Sequence, residues 1–377
     1  MALPAELNVT PDPYQPIVGG REGAYGTIIY GTRDGQEVTV KIQRATIGEH
    51  EASVLAYLHA AGPHPCIVGY IDHKVIGDTS YLLMERCQRE LLDDVMDNGR
   101  IDEAVARKHM VQLVAAVKWM HDLGVAHRDI KLENIMIRAD GTIAIIDVGL
   151  AKMDIDPTTL DNDAIGTKAY MAPEICLRGP HNPLAADVWA LGVCLFTMCA
   201  GFFPFLKALM EEDPRRFGCA QLAQAEGRST VCAMHELFKR QATHLSPEAI
   251  ALIDKTLTID KARRIRDAEL LSDPWLQAGP PPPSPPLPPT PPPTPSSPEL
   301  PAPEAPQPPR PSGFQRIAQL AMGALHQITR QDDETSYRSI GEISEDDMKA
   351  ASGEAMDVEI EAPKLERQRA RVVLAIP

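Results

Sequence analysis

One eight-residue run carries three side chains that together could transfer a phosphoryl group. The run reads His127-Arg128-Asp129-Ile130-Lys131-Leu132-Glu133-Asn134. Asp129 could accept the proton of a substrate hydroxyl, and Lys131, two residues on, could neutralise the phosphoryl group in transit. Asn134, five residues after Asp129, offers an amide oxygen that could ligate magnesium. A charged surface loop could also contain these residues, but their types at this spacing favour a catalytic loop.

Two charged residues elsewhere in the chain could complete this chemistry. Asp147 directly follows the β-branched run Ile143–Ile146 and could bind magnesium together with Asn134. Lys41 ends the strand-like run Val38-Thr39-Val40-Lys41 and could hold the α- and β-phosphates of a nucleotide. Taken alone, Lys41 is typical of a solvated strand lysine. The order of the two residues around the catalytic run favours phosphoryl transfer.

Three glycines upstream of Lys41 could close a hairpin over phosphates. They lie within Gly20-Arg21-Glu22-Gly23-Ala24-Tyr25-Gly26-Thr27-Ile28. Glycine lets the main chain approach an anion closely and point its amides at the oxygens. Glycine-rich turns are common, so an ordinary hairpin also explains this pattern when it is taken alone.

The chain around the glycines and Lys41 is predicted to form strands, which must position these residues. Two β-branched runs, Thr27–Tyr30 and Val38–Ile42, flank the turn signal Arg33-Asp34-Gly35, and this pattern predicts a hairpin. Glu51–Leu58 has a helical spacing of apolar residues, and Tyr81–Met84 returns to strand character. The first part of the chain is therefore predicted to be mostly sheet with one helix.

Helical patterns dominate after residue 100. Ala104–His121 carries a long apolar stripe, and Ser246–Leu257 starts with a Ser-Pro-Glu cap. Between them, Ile135–Ile137 and Ile143–Ile146 are joined by Asp140-Gly141 and predict a second hairpin. That hairpin would give the catalytic run a rigid base.

The composition excludes some classes of function. The 377 residues carry a formal net charge of −15 and a sequence pI near 5.2, which argues against nucleic-acid binding because that activity needs a cationic face. The seven cysteines form no Cys-x-x-Cys pair and are predicted to be reduced thiols of an intracellular protein. The first residues lack a basic segment followed by an apolar run, so no signal peptide is expected.

One uncharged stretch has nearly the length of a membrane span. Val188–Leu206 contains no charged residue, although Gly192, Gly201 and Pro204 interrupt it. The motifs around it favour the buried central helix of a soluble domain. No membrane span is therefore expected.

In their order along the chain, the motifs resemble those of the eukaryotic-type protein kinases over residues 14–276. Further matches are His64-Pro65-Cys66-Ile67-Val68, Asp147-Val148-Gly149, Met171-Ala172-Pro173-Glu174 and Asp187-Val188-Trp189-Ala190-Leu191-Gly192. Arg264, eleven residues before Trp275, matches the family arginine that pairs with Glu174. Lys131 and Gly166-Thr167 resemble serine/threonine kinases rather than tyrosine kinases.

The resemblance implies an α+β, bilobal kinase fold. A small, mostly-β N-lobe would span about residues 14–87, and a larger, mostly-α C-lobe would span about 88–276. ATP and Mg²⁺ are the implied cofactors, and proteins are the implied substrates. The implied catalytic residues are Asp129, Lys131, Asn134 and Thr167, and the implied metal ligands are Asn134 and Asp147.

The resemblance also implies the residues that bind the nucleotide. They are Gly20, Gly23, Gly26, Ile28, Thr39, Lys41, Glu51, Met84, Glu85, Cys87 and Asp147. Glu51 rather than Glu49 is predicted to pair with Lys41, because Leu55 and Leu58 then follow at the family spacing. Met84 would be the gatekeeper, and the main chain from Glu85 to Cys87 would meet the adenine.

Several residues depart from the family pattern. Arg21 stands where the first glycine is usual, Val148 replaces the phenylalanine of Asp-Phe-Gly, and the segment between Lys41 and Glu51 is about half the usual length. These departures motivate an alternative, a pseudokinase scaffold that recruits partners. A small-molecule kinase is disfavoured by the complete Gly-Thr-x-x-Tyr-x-Ala-Pro-Glu segment. A trimmed small lobe with a proline-rich tail also resembles some virus-encoded kinases.

The activation loop contains an acidic residue at a position where kinases of this type carry a phosphate. Arg128 would pair with that phosphate, and the position, four residues before Thr167, is Asp163. The sequence therefore predicts activity without upstream phosphorylation. In the alternative, Asp163 is a solvated loop residue and Thr158 or Thr159 is the switch.

Acidic residues near the site also predict a substrate preference. Glu133 matches a family position that can pair with a basic residue upstream of the acceptor, and Glu90 adds a second carboxylate. Protein substrates with such basic residues are therefore expected. Glu133 also occurs in kinases without this preference, which is the alternative.

The chain outside the resemblance falls into four segments. Residues 1–13 are an N-terminal extension, 279–312 a proline-rich linker with nineteen of the 35 prolines, 313–331 an amphipathic helix and 332–377 a mostly disordered tail. Pro285-Pro286-Leu287-Pro288 resembles a ligand for WW-type or other proline-recognising domains. A passive spacer is the alternative.

Overall fold

A computed structural model describes residues 3–12, 18–19, 26–205 and 214–278 of the chain. Several predictions from the sequence lie outside these residues. They concern Gly20, Gly23, the linker 279–312, the amphipathic helix 313–331 and the tail 332–377.

A six-stranded antiparallel sheet forms the first part of the described chain. Its strands are β1 (Thr10–Pro11), β2 (Val18–Gly19), β3 (Thr27–Arg33), β4 (Gln36–Arg44), β5 (Tyr70–Ile76) and β6 (Thr79–Glu85). They are ordered β1-β3-β4-β6-β5, and β2 also pairs with β3. Asp34 and Gly35 join β3 to β4 in a two-residue turn with φ of 53° and 80°, as an Asp-Gly hairpin turn requires.

The alternation of side chains gives this sheet two different faces. The outer face is apolar and consists of Ile29, Val38, Val40, Ile42, Tyr81 and Leu83. Because side chains in a strand alternate, the residues between these on β4, Thr39, Lys41 and Gln43, lie on the opposite face. The hydrophobic pattern of β4 therefore aims Lys41 into the cleft below the sheet.

The N-terminal residues close the outer face. A 3₁₀ turn, Ala5–Leu7, places Leu7 against the apolar residues of the sheet, where its side chain is fully buried. β1 then pairs with β3 at Gly31 and Thr32. A Cβ atom on Gly31 would lie 2.6 Å from the carbonyl oxygen of Thr10, so only glycine allows this strand to approach.

Helix α1 (Ala45–Ala60) packs on the inner face of the sheet. It begins directly after β4, so the short segment noted in the sequence is a strand that runs into a helix without a loop. Its buried residues include Glu51, Val54, Leu55 and Leu58. This register turns Glu51 toward the sheet and leaves Glu49 exposed.

Helices build the second part of the described chain. They are α2 (Leu91–Asn98), α3 (Glu103–Asp122), α4 (Pro173–Cys176), α5 (Pro183–Ala200), α6 (Pro214–Ala225), α7 (Thr230–Leu237), α8 (Pro247–Thr256), α9 (Asp267–Leu270) and α10 (Pro274–Gln277). Side chains of Asp102, Asn182 and Ser246 cap α3, α5 and α8 by accepting main-chain N–H groups. With the sheet-rich first part, they form the predicted bilobal α+β fold.

Helix α5 contains Val188–Ala200, most of the uncharged stretch that resembled a membrane span. Among the described residues it is the one helix long and apolar enough to cross a bilayer, and 94% of it is buried inside the protein. It packs against α3 and α8 in the centre of the large core. Its apolar composition therefore reflects burial on all sides, as the sequence predicted.

A small sheet lies between the two lobes. It consists of β7 (Arg89–Glu90), β8 (Ile135–Ile137) and β9 (Ile143–Ile145), paired in that order and antiparallel. The Val68 N–H donates to the carbonyl of Ile145 at 2.9 Å, and the Ile145 N–H donates to Cys66 at 2.9 Å. The predicted hairpin of β8 and β9 thus joins the N-lobe to the catalytic run that precedes it.

Candidate active site

Three predicted catalytic side chains contact the carboxylate of Asp129, the fourth predicted catalytic residue. The Lys131 ammonium donates to Oδ2 at 2.7 Å, and Asn134 Nδ2 donates to the same oxygen at 3.3 Å and to the Asp129 carbonyl at 2.9 Å. Thr167 donates its hydroxyl to Oδ1 at 2.8 Å and its main-chain N–H at 2.9 Å. The Thr167 hydroxyl also accepts from Lys131 at 2.9 Å. Each Asp129 oxygen is therefore held in one orientation.

Unusual backbone conformations aim this cluster. Arg128 has a φ of 67°, in the left-handed region, and Leu132–Asn134 form a 3₁₀ turn. The loop is fixed by Asp187 of α5, which accepts the main-chain N–H groups of His127 at 2.8 Å and Arg128 at 2.9 Å. Non-glycine residues rarely occupy the left-handed region, and they persist there when the surroundings hold them. The buried Asp187 supplies that restraint.

A second cluster joins the sheet, α1 and the segment after β9. The Lys41 ammonium lies 2.7 Å from Oε2 of Glu51 and donates to Asp147 Oδ1 at 3.0 Å. Burial lowers the pKa of Lys41, but the charges of Glu51 and Asp147 outweigh that effect and raise it. Lys41 is therefore a cation held between two carboxylates.

The carboxylate of Asp147 stays ionised in this cluster. Burial alone would raise its pKa, but Lys41, and to a lesser extent Lys131 and His127, lower it below the ordinary value. The contribution of Lys131 also means that the two clusters lie within electrostatic range of each other. The sequence-predicted groups for phosphate, metal and acceptor are thereby gathered in one cleft.

The donor set of the cleft suits magnesium. Asp147 and Asn134 offer carboxylate and amide oxygens, which hard cations prefer, and Mg²⁺ commonly takes only one or two protein ligands beside substrate phosphates. Among the described residues, no group of three or more His, Cys, Asp or Glu side chains could hold a metal by itself. Asp147 and Asn134 together therefore fit an ion that binds beside nucleotide phosphates.

The remaining nucleotide-binding predictions lie on the sheet and the hinge that follows β6. Ile28 pairs with Lys41 across β3 and β4, and Thr39 pairs with Met84 across β4 and β6. Gly26 has a φ of 73°, and a Cβ atom there would lie 2.2 Å from the carbonyl oxygen of Ile42, so this position requires glycine.

The side chains of Glu85 and Cys87, in the hinge, are engaged or buried within the protein. Glu85 accepts from Arg138 and from the Gly69 N–H, the latter at 3.1 Å, and its own N–H donates to Gly69 at 2.9 Å. Cys87 is buried, and burial raises the pKa of its thiol to about 11. The Glu85 side chain is therefore engaged within the protein, and the Cys87 side chain is buried.

The sequence did not predict three contacts that support the site. Gln43 donates to Glu51 Oε2 at 2.7 Å and fixes the orientation of that carboxylate. Its position two residues after Lys41 on the same strand face is a signal that could have revealed it. Arg138, bound to Glu85, also donates to the carbonyl of Pro65 at 2.7 Å and has no comparable signal.

The activation loop is held by two aspartates rather than one. Arg128 donates to Asp163 at 3.1 Å, as predicted for that position, and also lies 3.6 Å from Asp161. Asp161 is buried and accepts from Lys152 at 3.1 Å. Thr158 instead donates its hydroxyl to Asp156 at 2.6 Å, within a local turn.

Glu133 is engaged by a tyrosine. The Tyr170 hydroxyl donates to Glu133 Oε2 at 2.9 Å, and burial raises the pKa of Glu133, with a smaller contribution from the charge of Glu90. The two carboxylates named in the sequence are therefore near enough to repel each other. A cation between them would relieve that repulsion.

The chain is similar to known protein kinases. A family profile described as "Protein kinase domain" matches residues 18–276. CBL-interacting protein kinase 16 of Oryza sativa subsp. japonica is 30% identical over 282 residues, 70% of this chain and 56% of that protein. CBL-interacting serine/threonine-protein kinase 8 of Arabidopsis thaliana is 29% identical over 271 residues, 67% of this chain and 55% of that protein.

A relative from an animal gives a similar match. Serine/threonine-protein kinase PAK mbt of Drosophila melanogaster is 30% identical over 269 residues, 69% of this chain and 39% of that protein. The chain spans about half the length of the curated relatives it matches, or less.

Proposed function

Because the chain belongs to the protein kinase family, we propose that it is an active serine/threonine kinase that transfers the γ-phosphate of ATP to protein hydroxyls. The observation that carries the proposal is the Asp129 cluster, in which Lys131, Asn134 and Thr167 all contact Asp129. The names of relatives in plants and an animal support the acceptor class.

Each charged side chain has a role in this proposal. Asp129 orients the acceptor hydroxyl and accepts its proton, while Lys131 stabilises charge on the phosphoryl group. Lys41, aligned by Glu51, holds the nucleotide phosphates. Mg²⁺, held by Asn134 and Asp147, would neutralise charge on those phosphates.

Two observations favour an active enzyme over a pseudokinase scaffold. The Lys41–Glu51 ion pair is formed, and Val148, which replaces the usual phenylalanine, is buried in the large core. The segment from Gly166 to Glu174 supports a peptide rather than a small-molecule acceptor, because Thr167 ties it to Asp129.

The decisive experiment compares wild type with Asp129→Asn on an array of serine, threonine and tyrosine peptides, using radiolabelled ATP. Loss of a positioned proton acceptor should lower turnover by about two to four orders of magnitude. The unfolding temperature should fall only modestly, because the amide oxygen of asparagine can still accept from one pair of donors, although its NH2 group cannot accept from the other pair. Activity of the variant within threefold of wild type would show that Asp129 is not the base, and an inactive wild type would favour the scaffold.

We propose that the enzyme is active without phosphorylation of its activation loop. Asp161 and Asp163 together bring a formal charge of −2 to Arg128 and Lys152, and a phosphate would bring about −1.5 to −2. Thr158 is bound to Asp156 rather than to Arg128. This arrangement supports basal activity in the unphosphorylated enzyme.

Substrates with arginine or lysine two or three residues before the acceptor are the proposed class. Glu133 and Glu90 would receive that side chain, and the net charge of −15 attracts basic peptides over a longer range. The same peptide array tests this, because Glu133→Gln should reduce the enrichment of basic residues. An array without that enrichment in wild type would contradict it.

The proline-rich linker is proposed to recruit a proline-recognising domain inside the cell. The seven cysteines are free thiols, which supports a reducing compartment. Deletion of residues 280–311 should leave peptide phosphorylation unchanged while weakening capture of a WW domain on a sensor surface. A truncated enzyme without activity would contradict the linker hypothesis.

A further inference from the structure

His121, near the end of α3, lies between two carboxylates from distant parts of the chain. Its Nε2 is 3.0 Å from Oδ2 of Asp187 in α5, and its Nδ1 is 3.0 Å from Oδ2 of Asp267, the first residue of α9. The His121 side chain is 1% exposed. Three elements that are far apart in sequence are thus joined at one imidazole.

The geometry requires a positively charged ring. An ionised carboxylate only accepts hydrogen bonds, and a neutral imidazole has only one N–H to donate. Asp187 already accepts main-chain N–H groups on both of its oxygens, from His127 and Arg128, so toward His121 it acts as an acceptor. Both His121 nitrogens must therefore carry a proton if both bonds are formed.

The surrounding charges agree with this state. Burial lowers the pKa of His121, but the hydrogen bonds and charges of Asp187 and Asp267 outweigh it and raise the pKa to about 9. Burial likewise raises the pKa of Asp267, and His121, with help from Lys118, lowers it overall. Lys118 lies on α3 and pairs with Asp122, so its charge is shared.

We propose that Asp267 is a positioning residue for the catalytic loop. It holds His121 as a cation, the cation orients Asp187, and Asp187 fixes the two main-chain N–H groups immediately before Asp129. The inference deepens the proposed kinase function and rests on it. Asp267 contacts none of the reacting groups, so it acts only through His121.

Loss of Asp267 would weaken the link, the chain of contacts from Asp267 through His121 to Asp187, in a pH-dependent way. A neutral His121 could still donate from Nε2 to Asp187, but the positive charge opposite Asp187 would be gone. In the folded wild type, the His121 ring keeps its charge until the pH approaches about 9. Its contribution to the free energy of unfolding is therefore complete below about pH 6.5 and is lost as the pH rises through about 9. Without Asp267, the same loss should occur at lower pH.

The experiment compares full-length wild type with Asp267→Asn, with Lys255→Gln as the matched control. Lys255 pairs with Asp273 at 2.7 Å, close in sequence to Asp267, and that pair contacts no residue of the catalytic run. His121 is followed by NMR titration of its ring and assigned with His121→Gln. Amide exchange of His127 and Arg128 and the pH profile of kcat are measured on the same proteins.

In Asp267→Asn, the pKa of His121 should fall by about one to two pH units, since a hydrogen bond to a charged group is lost. The His127 and Arg128 amides should exchange faster near pH 8.5. The ratio of kcat between variant and wild type should stay near one at pH 6.5 and drop about threefold or more at pH 8.5. Asp267→Glu should restore all three, and Lys255→Gln should resemble wild type.

Two results would overturn the proposal. One is a wild-type His121 that titrates near the ordinary histidine value, and the other is a kcat lowered equally at every pH, as a general loss of stability would cause. The ring titration and amide exchange do not require phosphoryl transfer. An inactive wild type with the expected NMR changes would therefore refute the proposed function and leave the link from Asp267 to Asp187 standing.

Discussion

Two buried ionic clusters in this protein differ in their balance of charge. In the cleft, one cation, Lys41, faces two carboxylates, and the Asp147 side chain keeps 17% of its surface exposed. In the C-lobe, Arg264 binds Glu174 through two hydrogen bonds of 2.6 and 2.9 Å and is 1% exposed. Arg264 also donates to two main-chain carbonyls and lies 5.0 Å from the ring of Trp189.

The difference in charge balance distinguishes a binding site, the Lys41 cluster, from a structural ion pair, Arg264–Glu174, which we call the brace. The C-lobe pair is neutral overall, and Arg264 makes four hydrogen bonds within the core, so we assign it a structural role. The cleft cluster has two carboxylates for one cation, at a position where Asp147 is partly exposed. Such an excess of negative charge costs free energy that a bound cation would recover. The cluster around Lys41 has excess negative charge and is partly exposed, as expected of a functional site. The Arg264–Glu174 pair is balanced in charge and buried, as expected of a structural contact.

The largest expected effect comes from breaking the brace. Glu174→Gln should lower the free energy of unfolding by about 3 to 5 kcal/mol, because it leaves the buried Arg264 without a counter-charge. The kcat of the folded enzyme, measured well below its unfolding temperature, should change little. Glu269→Gln, which removes the exposed partner of Arg266, is the control and should leave chemical denaturation unchanged.

Removing the excess negative charge of the Lys41 cluster should lower activity and leave stability unchanged or higher, the opposite of the result for Glu174→Gln. Asp147→Asn should lower kcat/KM by about a hundredfold to a thousandfold, the range for losing an electrostatic group at a reacting centre. Stability should hold or rise, since Lys41 and Glu51 remain as a balanced pair. Calorimetry beside a peptide assay checks both parts. A loss of stability as large as in Glu174→Gln would remove the distinction between the two clusters.

A substitution in the activation loop should give the smallest of the three effects. Asp163→Ala should lower activity by about threefold to tenfold with little change in stability, because the Asp163 side chain is 54% exposed and Asp161 still faces Arg128. Thr158→Ala combined with Thr159→Ala, and phosphatase treatment of the wild type, should change little. The reverse pattern would show that phosphorylation switches the loop.

Much of the site followed from short-range pattern. Asp129, Lys131 and Asn134 lie within six residues, so one turn of backbone brings them together. Alternation along β4 places Lys41 in the cleft. The family spacing to Leu55 and Leu58 selected Glu51 instead of Glu49, and α1 buries Glu51. The pairing of Arg264 with Glu174, 90 positions apart, came from family resemblance instead.

Other contacts could not be derived from pattern. Leu7 reads as an ordinary residue of an N-terminal extension, yet it completes the apolar outer face of the sheet. Asp161 has no spacing that distinguishes it from Asp163, yet it is the buried one of the two. In both cases burial depends on what packs nearby, and that is not encoded in the neighbouring residues.

The sequence by itself determined the chemistry available, the order of the motifs and the two-part fold, because hydrophobic periodicity and local spacing act over a few residues. Only the tertiary structure decided which distant charges meet. Asp267 lies 146 positions from His121, and His121 lies 66 from Asp187, and packing of α3, α5 and α9 alone sets those contacts. A contact between charges in a folded core depends on three-dimensional distance and shared burial, and neither quantity has a period along the chain.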